Sequence, residues 1–180
     1  MPVHVLPGET DPTGAILPQQ ALPSAMFGAV SELATFHSET NPAIVHLSSA
    51  IEGEANRTRD MLLTSGQTLN DMFKYVQTPP TTRLDLAEAT LFWRHLAPTA
   101  PDTLWCHPYF TKDPFVLEKI PDLYIIGNQP EFATKLIVSA TAGGEPLRCR
   151  VILVPSFSHT GTLVLVDIAT LEVRIIELRI

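Results

Sequence analysis

The chain is poor in the residues that most often announce a function. Of its 180 residues only two are cysteine, Cys106 and Cys149, which form no CxxC pair and have no histidine pair nearby. That argues against a disulfide framework or a zinc site and leaves both thiols to be read as free and buried. Basic charge is also scarce. Twelve lysines and arginines stand against 19 acids, for a formal net charge of -7, so no phosphate-seeking face is written into the chain. No apolar run approaches the length of a membrane span, and the opening MPVHVLPGE lacks the basic stretch and apolar core of a secretion signal. The expectation is a soluble, intracellular protein that touches neither membrane nor, by itself, nucleic acid.

What is present suits one folded unit. Hydrophobic residues make up 45% of the chain, enough for a real core, and the 16 prolines are scattered as turn punctuation with no PxxP tract. VHV at 3–5 alternates like a strand and runs straight into a glycine turn, the pattern of a domain interior, so an upstream part is expected. LPQQALPSAM at 17–26 has too many prolines for a helix and reads as a surface loop. NPAIVHL at 41–47 and DMLLTSG at 60–66 read as short buried strands, joined by the polar IEGEANRTR. Leu69, Met72, Phe73 and Val76 fall at helical spacing. A second helix starts at Thr82, which with Asp85 fits a capping box; Leu84, Ala87, Leu91 and 93–96 supply its apolar side, and Pro98 and Pro101 stop it.

Residues 96–115 hold four prolines and five aromatic or imidazole side chains without a period. This is a long ordered loop or a contact surface, and its Trp105, His107, Tyr109 and Phe110 are either core packing or a partner contact. Strands follow at 121–132, 135–139, 147–155, 161–168 and 171–178. Early alternation of strands and helices, then antiparallel-looking strands, predicts an α/β fold: a two-sheet β-sandwich flanked by helices.

Three turns stand where open α/β folds place their sites: PGETDP at 7–12, TSGQ at 64–67 and IGNQP at 126–130. Taken singly, each has a plain reading in which Gly8, Gly66 and Gly127 supply positive φ. The histidines, at 4, 37, 46, 95, 107 and 159, show no i,i+4 pair and none lies in these turns, so core or surface roles are expected of them. Ser156, Ser158 and His159 lack a nucleophile-elbow pattern and read as a polar turn between strands.

In their order the three turns resemble the strand ends of calcineurin-like metallophosphoesterases, where imidazoles and an amide hold two metal ions. By that resemblance Glu9 and Thr10 stand where Asn and His are found, Ser65 replaces the middle His, and Asn128 and Pro130 replace the last pair. Thr, Ser and Pro cannot replace neutral imidazoles around a binuclear centre, so no catalytic residue, metal or other cofactor is expected. Glu9 and Asp11, two acids of one turn, are at most a weak cation site.

A phosphoesterase fold stripped of its ligands resembles the B subunits of replicative DNA polymerases. VLPGETDP, LPQQALP, TSGQTLNDMFKY, LAPTAPDTLWCHPYFTKDPF and GNQPEFATK together resemble the family of second, regulatory subunits of DNA polymerase delta. The resemblance implies that residues 1–180 are the C-terminal part of an inactive phosphoesterase-like domain, the later half of the fold, with the family's N-terminal OB-type domain absent from this chain. It implies a non-catalytic, nuclear scaffold for DNA replication. The partners it implies are the C-terminal domain of the polymerase delta catalytic subunit and an accessory subunit, with DNA met only through the complex. Two alternatives remain: a metal-dependent phosphodiesterase with rearranged ligands, Glu9 and Asp11 among them, and a truncated, nonfunctional fragment.

Overall fold

The computed structural model describes residues 1–48, 58–139 and 147–178. Its centre is a mixed five-stranded sheet of β3 (Ala43–Ser48), β4 (Thr58–Thr64), β5 (Leu123–Gln129), β6 (Ala133–Ser139) and β7 (Leu147–Pro155), in the order β3-β4-β5-β7-β6. β4, β5 and β7 run parallel, while the edge strands β3 and β6 are antiparallel to their neighbours. Two small sheets accompany it. β1 (Val3–Val5) pairs in parallel with β2 (Phe36–Ser38), and β8 (Thr162–Val166) pairs antiparallel with β9 (Val173–Glu177).

The fold is therefore α/β, as expected, but the anticipated pair of sheets is one large sheet and two small ones. Nor are the later strands all antiparallel. Parallel neighbours need a crossover connection, and between β4 and β5 this is supplied by α1 (Gln67–Phe73), α2 (Arg83–Trp93) and the long segment after them.

Strand alternation sorts the core into two layers. Leu62 of β4, Tyr124 and Ile126 of β5, and Cys149, Val151 and Leu153 of β7 face the helices, where they meet Leu69, Met72, Leu86, Ala87 and Leu91. Their sequence neighbours Met61, Leu123, Ile125, Ile152 and Val154 face the other way and pack with Val164, Val166 and Val173 of the β8–β9 ribbon. Each fully buried aliphatic side chain contributes roughly 1.5–3 kcal/mol. The central strands are apolar on both faces because both faces are covered.

Several local expectations need correction. β3 is an edge strand whose Ile44 is 60% exposed: it stands beside Leu62 on the helix-facing side, and among the described residues the layer that buries Leu62 does not extend to cover it. The 17–26 segment is irregular but not superficial, since Leu17, Gln19 and Leu22 are buried and residues 17 and 19 make backbone bridges to Cys106 and Asn41. α2 begins in the predicted capping box, with Thr82 Oγ1 accepting from the Asp85 N–H and the Asp85 carboxylate from the Thr82 N–H. It ends at Trp93 with Arg94 in the left-handed region (φ 54), before either proline, and Trp93 itself is exposed. Cys149 is buried, and desolvation pushes its thiol up to about 12, whereas Cys106 is only half-buried. The loop predicted in IEGEANRTR lies outside the described residues except for Thr58 and Arg59, which belong to β4.

Candidate functional site

Because β4, β5 and β7 are parallel, their C-terminal ends lie along one edge of the sheet, the place where open α/β sheets bind ligands. β4 runs through Ser65 and Gly66 into α1, β5 ends at Gln129 before Pro130, and β7 passes through Ser156 into α3 (Phe157–Thr160). The turn after β1 reaches the same edge. The result is a cleft of about 610 Å³ whose lining includes Glu9, Thr10, Ser65, Asn128 and Pro130. All five positions singled out in the sequence are thus brought together, although the first and the last are 121 positions apart.

The turns touch one another. Gly66 has φ 93, and a Cβ there would lie 2.2 Å from the Gly127 carbonyl oxygen, so only glycine lets these two turns meet. Asn128 Nδ2 donates to Ser65 O at 3.1 Å and lies beside Gly8. Positive φ was expected at Gly8, Gly66 and Gly127, but of these only Gly66 has it. Asn128 takes the left-handed role in its turn (φ 52), because Gly127 and Asn128 sit in a bulge of the β5–β7 pairing.

Beneath the cleft lies a network of carboxamides that motif reading missed. Asn41, 2% exposed, donates through Nδ2 toward Gln19 Oε1 (2.7 Å), Ser65 Oγ (2.6 Å) and Gln67 Oε1 (3.3 Å), and its Oδ1 accepts the Ser65 N–H. Gln19, 1% exposed, directs Nε2 to the carbonyls of Gly8 and Gly14. On the far side buried Gln129 donates to Gly127 O and accepts from Arg83 Nη1, which also donates to Asn70 Oδ1. The PGETDP, TSGQ and GNQP turns are therefore cross-linked by neutral side chains whose polar groups are paired. The available signal was polar residues in apolar surroundings, LPQQ and the Asn-Pro pair at 41–42.

These residues do not fit a pair of divalent ions. Among the described residues Glu9 and Asp11 are the only carboxylates lining the cleft, and Asp11 Oδ2 already accepts the Gly8 N–H at 2.7 Å. The guanidinium of Arg83 adds positive charge to the same space. No group of three or more His, Cys, Asp or Glu comes together with metal-binding geometry among the described residues. His4, His46 and His95 instead each pair with one carboxylate, of Glu39, Asp60 and Asp113.

Ser156 and His159, predicted as a plain polar turn, also line the cleft. Ser156 Oγ lies 3.1 Å from Ser158 Oγ, while neither hydroxyl is bonded to the His159 imidazole among the described residues. The nucleophile and base pairing of acyl transfer is therefore not assembled.

The aromatic stretch forms a second region. Its base is pinned, since the Leu17 N–H donates to Trp105 O and the His107 N–H to Leu17 O, both at 2.9 Å. Thr99 and Thr103 donate their hydroxyls to the buried Asp71 carboxylate at 2.6 and 2.7 Å. Burial raises the pKa of Asp71, but these bonds and the one from Lys74 more than offset it and hold the carboxyl below its usual range. Leu96 and Phe115 bury the two ends. Between them Ala97, Leu104 and Cys106 still pack on the core, whereas Trp105 is 68% and Phe110 95% exposed, with Tyr109 and His107 exposed beside them. Core packing does not account for these four; His107 and Tyr109 line one shallow hollow, and Trp105 lines another.

Residues 1–134 match the family model for the B subunit of DNA polymerases alpha and epsilon. The chain is 40% identical over 98% of its length to DNA polymerase delta subunit 2 of Drosophila melanogaster. It is 36% identical over 99% of its length to the DNA polymerase delta small subunit of Saccharomyces cerevisiae, and 38% over 96% to that of Oryza sativa subsp. japonica. It spans 37–39% of the length of these relatives. The chain belongs to the family of DNA polymerase B subunits, and within it is similar along nearly its whole length to the small subunits of DNA polymerase delta.

Proposed function

We propose that this chain is part of a non-catalytic scaffold in DNA polymerase delta. It docks the C-terminal domain of the catalytic subunit, links an accessory subunit to it, serves DNA replication in the nucleus and meets DNA only through the complex. The cleft carries this reading. Strand ends converge there as they do around an active site, yet among the described residues the side chains present, apart from Glu9, Asp11 and His159, are amides, hydroxyls, a proline and a guanidinium. In this reading the part of the relatives' length spanned here is the C-terminal part of an inactive calcineurin-like phosphoesterase domain. Glu9, Thr10, Ser65, Asn128 and Pro130 then stand at former ligand positions. The outward aromatics Trp105, His107, Tyr109 and Phe110 are the first candidates for the partner contact, because exposed apolar patches mark interfaces and aromatics dominate their energetics.

The test is co-expression of the chain with the C-terminal domain of its own polymerase delta catalytic subunit, followed by gel filtration and a manganese-supplemented diesterase assay. Scaffold function predicts co-elution and no cleavage of bis(p-nitrophenyl) phosphate. Elution apart, with manganese-dependent cleavage that Glu9→Ala abolishes, establishes the phosphodiesterase alternative instead.

A further inference from the structure

We propose that Arg83 anchors an anion: the cleft takes a carboxylate from an acidic side chain of a protein partner and holds it side-on through the guanidinium Nε and Nη2. The inference rests on the cleft alone and survives if the scaffold reading fails.

Arg83 is placed where a cation is disfavoured in two ways. It occupies the first residue of α2, against the positive end of the helix dipole, and burial holds its guanidinium below its usual pKa. No carboxylate pairs with it among the described residues. Its geometry is nonetheless fixed. Both hydrogens of Nη1 are taken by neutral oxygens, Asn70 Oδ1 at 2.6 Å and Gln129 Oε1 at 2.9 Å, and Cζ stacks 4.4 Å from the centre of the Phe73 ring. That leaves Nε and Nη2, the edge with which arginine makes a parallel two-bond pair with a carboxylate. Among the described residues neither atom is a buried orphan, and Arg83 lines the cleft.

The surroundings choose the ligand. Hydroxyl and amide donors of Ser65, Asn128 and Ser156 share the cleft and can take an anion's remaining lone pairs. Glu9 and Asp11 also line it and set a limit on its charge. Asp11 is tied to the Gly8 N–H, and Glu9 acts on Lys74 in the adjoining hollow, and both lower the positive potential beside Arg83; because desolvation cost grows with the square of an anion's charge while attraction grows only linearly, the weakened potential suits a single carboxylate better than a phosphate dianion. With a net charge of -7 over the whole chain, the site is suited to one acidic side chain and not to a polyanion.

The test follows the Arg83 Nε–H resonance and the Ser65 and Asn128 amides of the full, isotopically labelled chain by NMR. Three probes are titrated separately: acetyl-Gly-Glu-Gly-amide, its glutamine counterpart and inorganic phosphate. Saturable shifts with the glutamate peptide are expected, with binding of the glutamine peptide and of phosphate weaker by about tenfold or more. Arg83→Gln abolishes the response, Arg83→Lys weakens it because the charge stays and the fork is lost, and Glu9→Gln strengthens it. No saturable shift, or an unchanged response in a folded Arg83→Gln, overturns the site. A lysine variant equal to wild type overturns the side-on geometry, and tighter binding of phosphate overturns the carboxylate.

Discussion

The strand-end cleft and the aromatic loop reverse the usual partition of side chains in opposite senses. At the cleft polar residues are inside: Gln19, Asn41, Gln67 and Gln129 are buried. On the loop large apolar residues are outside: Trp105, Tyr109 and Phe110 project from a loop whose base is pinned at Trp105 and His107. Buried polar groups and exposed apolar ones carry the information that an ordinary core does not. The two regions therefore hold their shape differently. Each cleft amide is over-determined by its partners, so the cleft is rigid and intolerant of change. The exposed aromatics contribute little to folding, so their identity is free to serve recognition.

The largest expected effect lies at the cleft. Gly66→Ala forces a strained φ and a 2.2 Å clash with Gly127 O, and costs about 3 kcal/mol or more in urea unfolding. Gly8→Ala, whose Cβ meets its nearest neighbour at 3.5 Å, stays under about 1 kcal/mol. Equal losses at the two glycines would mean that the Gly66–Gly127 contact is not the obligatory one. Next, Asn41→Ala orphans Gln19 Oε1 and the Ser65 N–H and lowers stability by roughly 2–3 kcal/mol. A loss no larger than at surface positions means that the amides do not cross-link the turns.

Asp71 joins the two regions, since it sits on α1 and holds Thr99 and Thr103 at the start of the loop. Asp71→Asn costs about 1–2 kcal/mol at neutral pH. The folded carboxyl lies below its unfolded value, so its contribution is full above that value, about 4, and fades as pH falls through the folded pKa. Unfolding curves of wild type and variant measured from pH 7 to pH 3 should converge at the acid end, and a constant gap contradicts the linkage. The smallest effect on folding is at the loop tip. Phe110→Ser and Trp105→Ser change stability by no more than about 0.5 kcal/mol. If the tip is the partner contact, the same changes weaken co-purification with the catalytic subunit's C-terminal domain about tenfold. Large unfolding effects here would place these residues back in the core and erase the contrast between loop and cleft.

Much of the secondary structure was legible because it is local. The Thr82–Asp85 box starts α2 where two side chains three residues apart cap each other's N–H groups, and the runs read as strands at 121–132 and 147–155 hold β5 (Leu123–Gln129) and β7 (Leu147–Pro155), whose central residues are covered on both faces. The exposure of Ile44 and Trp93 was not, because the neighbours that cover or fail to cover a side chain come from elsewhere in the chain. The convergence of Glu9, Thr10, Ser65, Asn128 and Pro130 was anticipated through a family likeness, not through spacing. The roles of Gln19, Asn41, Arg83 and His159 at the same edge were not anticipated.

By itself the sequence determined the α/β character, the low basic charge, the capped helix and the presence of Thr, Ser and Pro, with no imidazole, at the strand-end turns. These depend on residue type and short separations. Only the tertiary structure decided that the sheet is mixed, that the turns interlock through carboxamides, that Arg83 faces the cleft without a carboxylate among the described residues, and that the aromatics point outward. Each of these depends on which distant segments the parallel strands bring to one edge, and that geometry is set by pairing across the sheet.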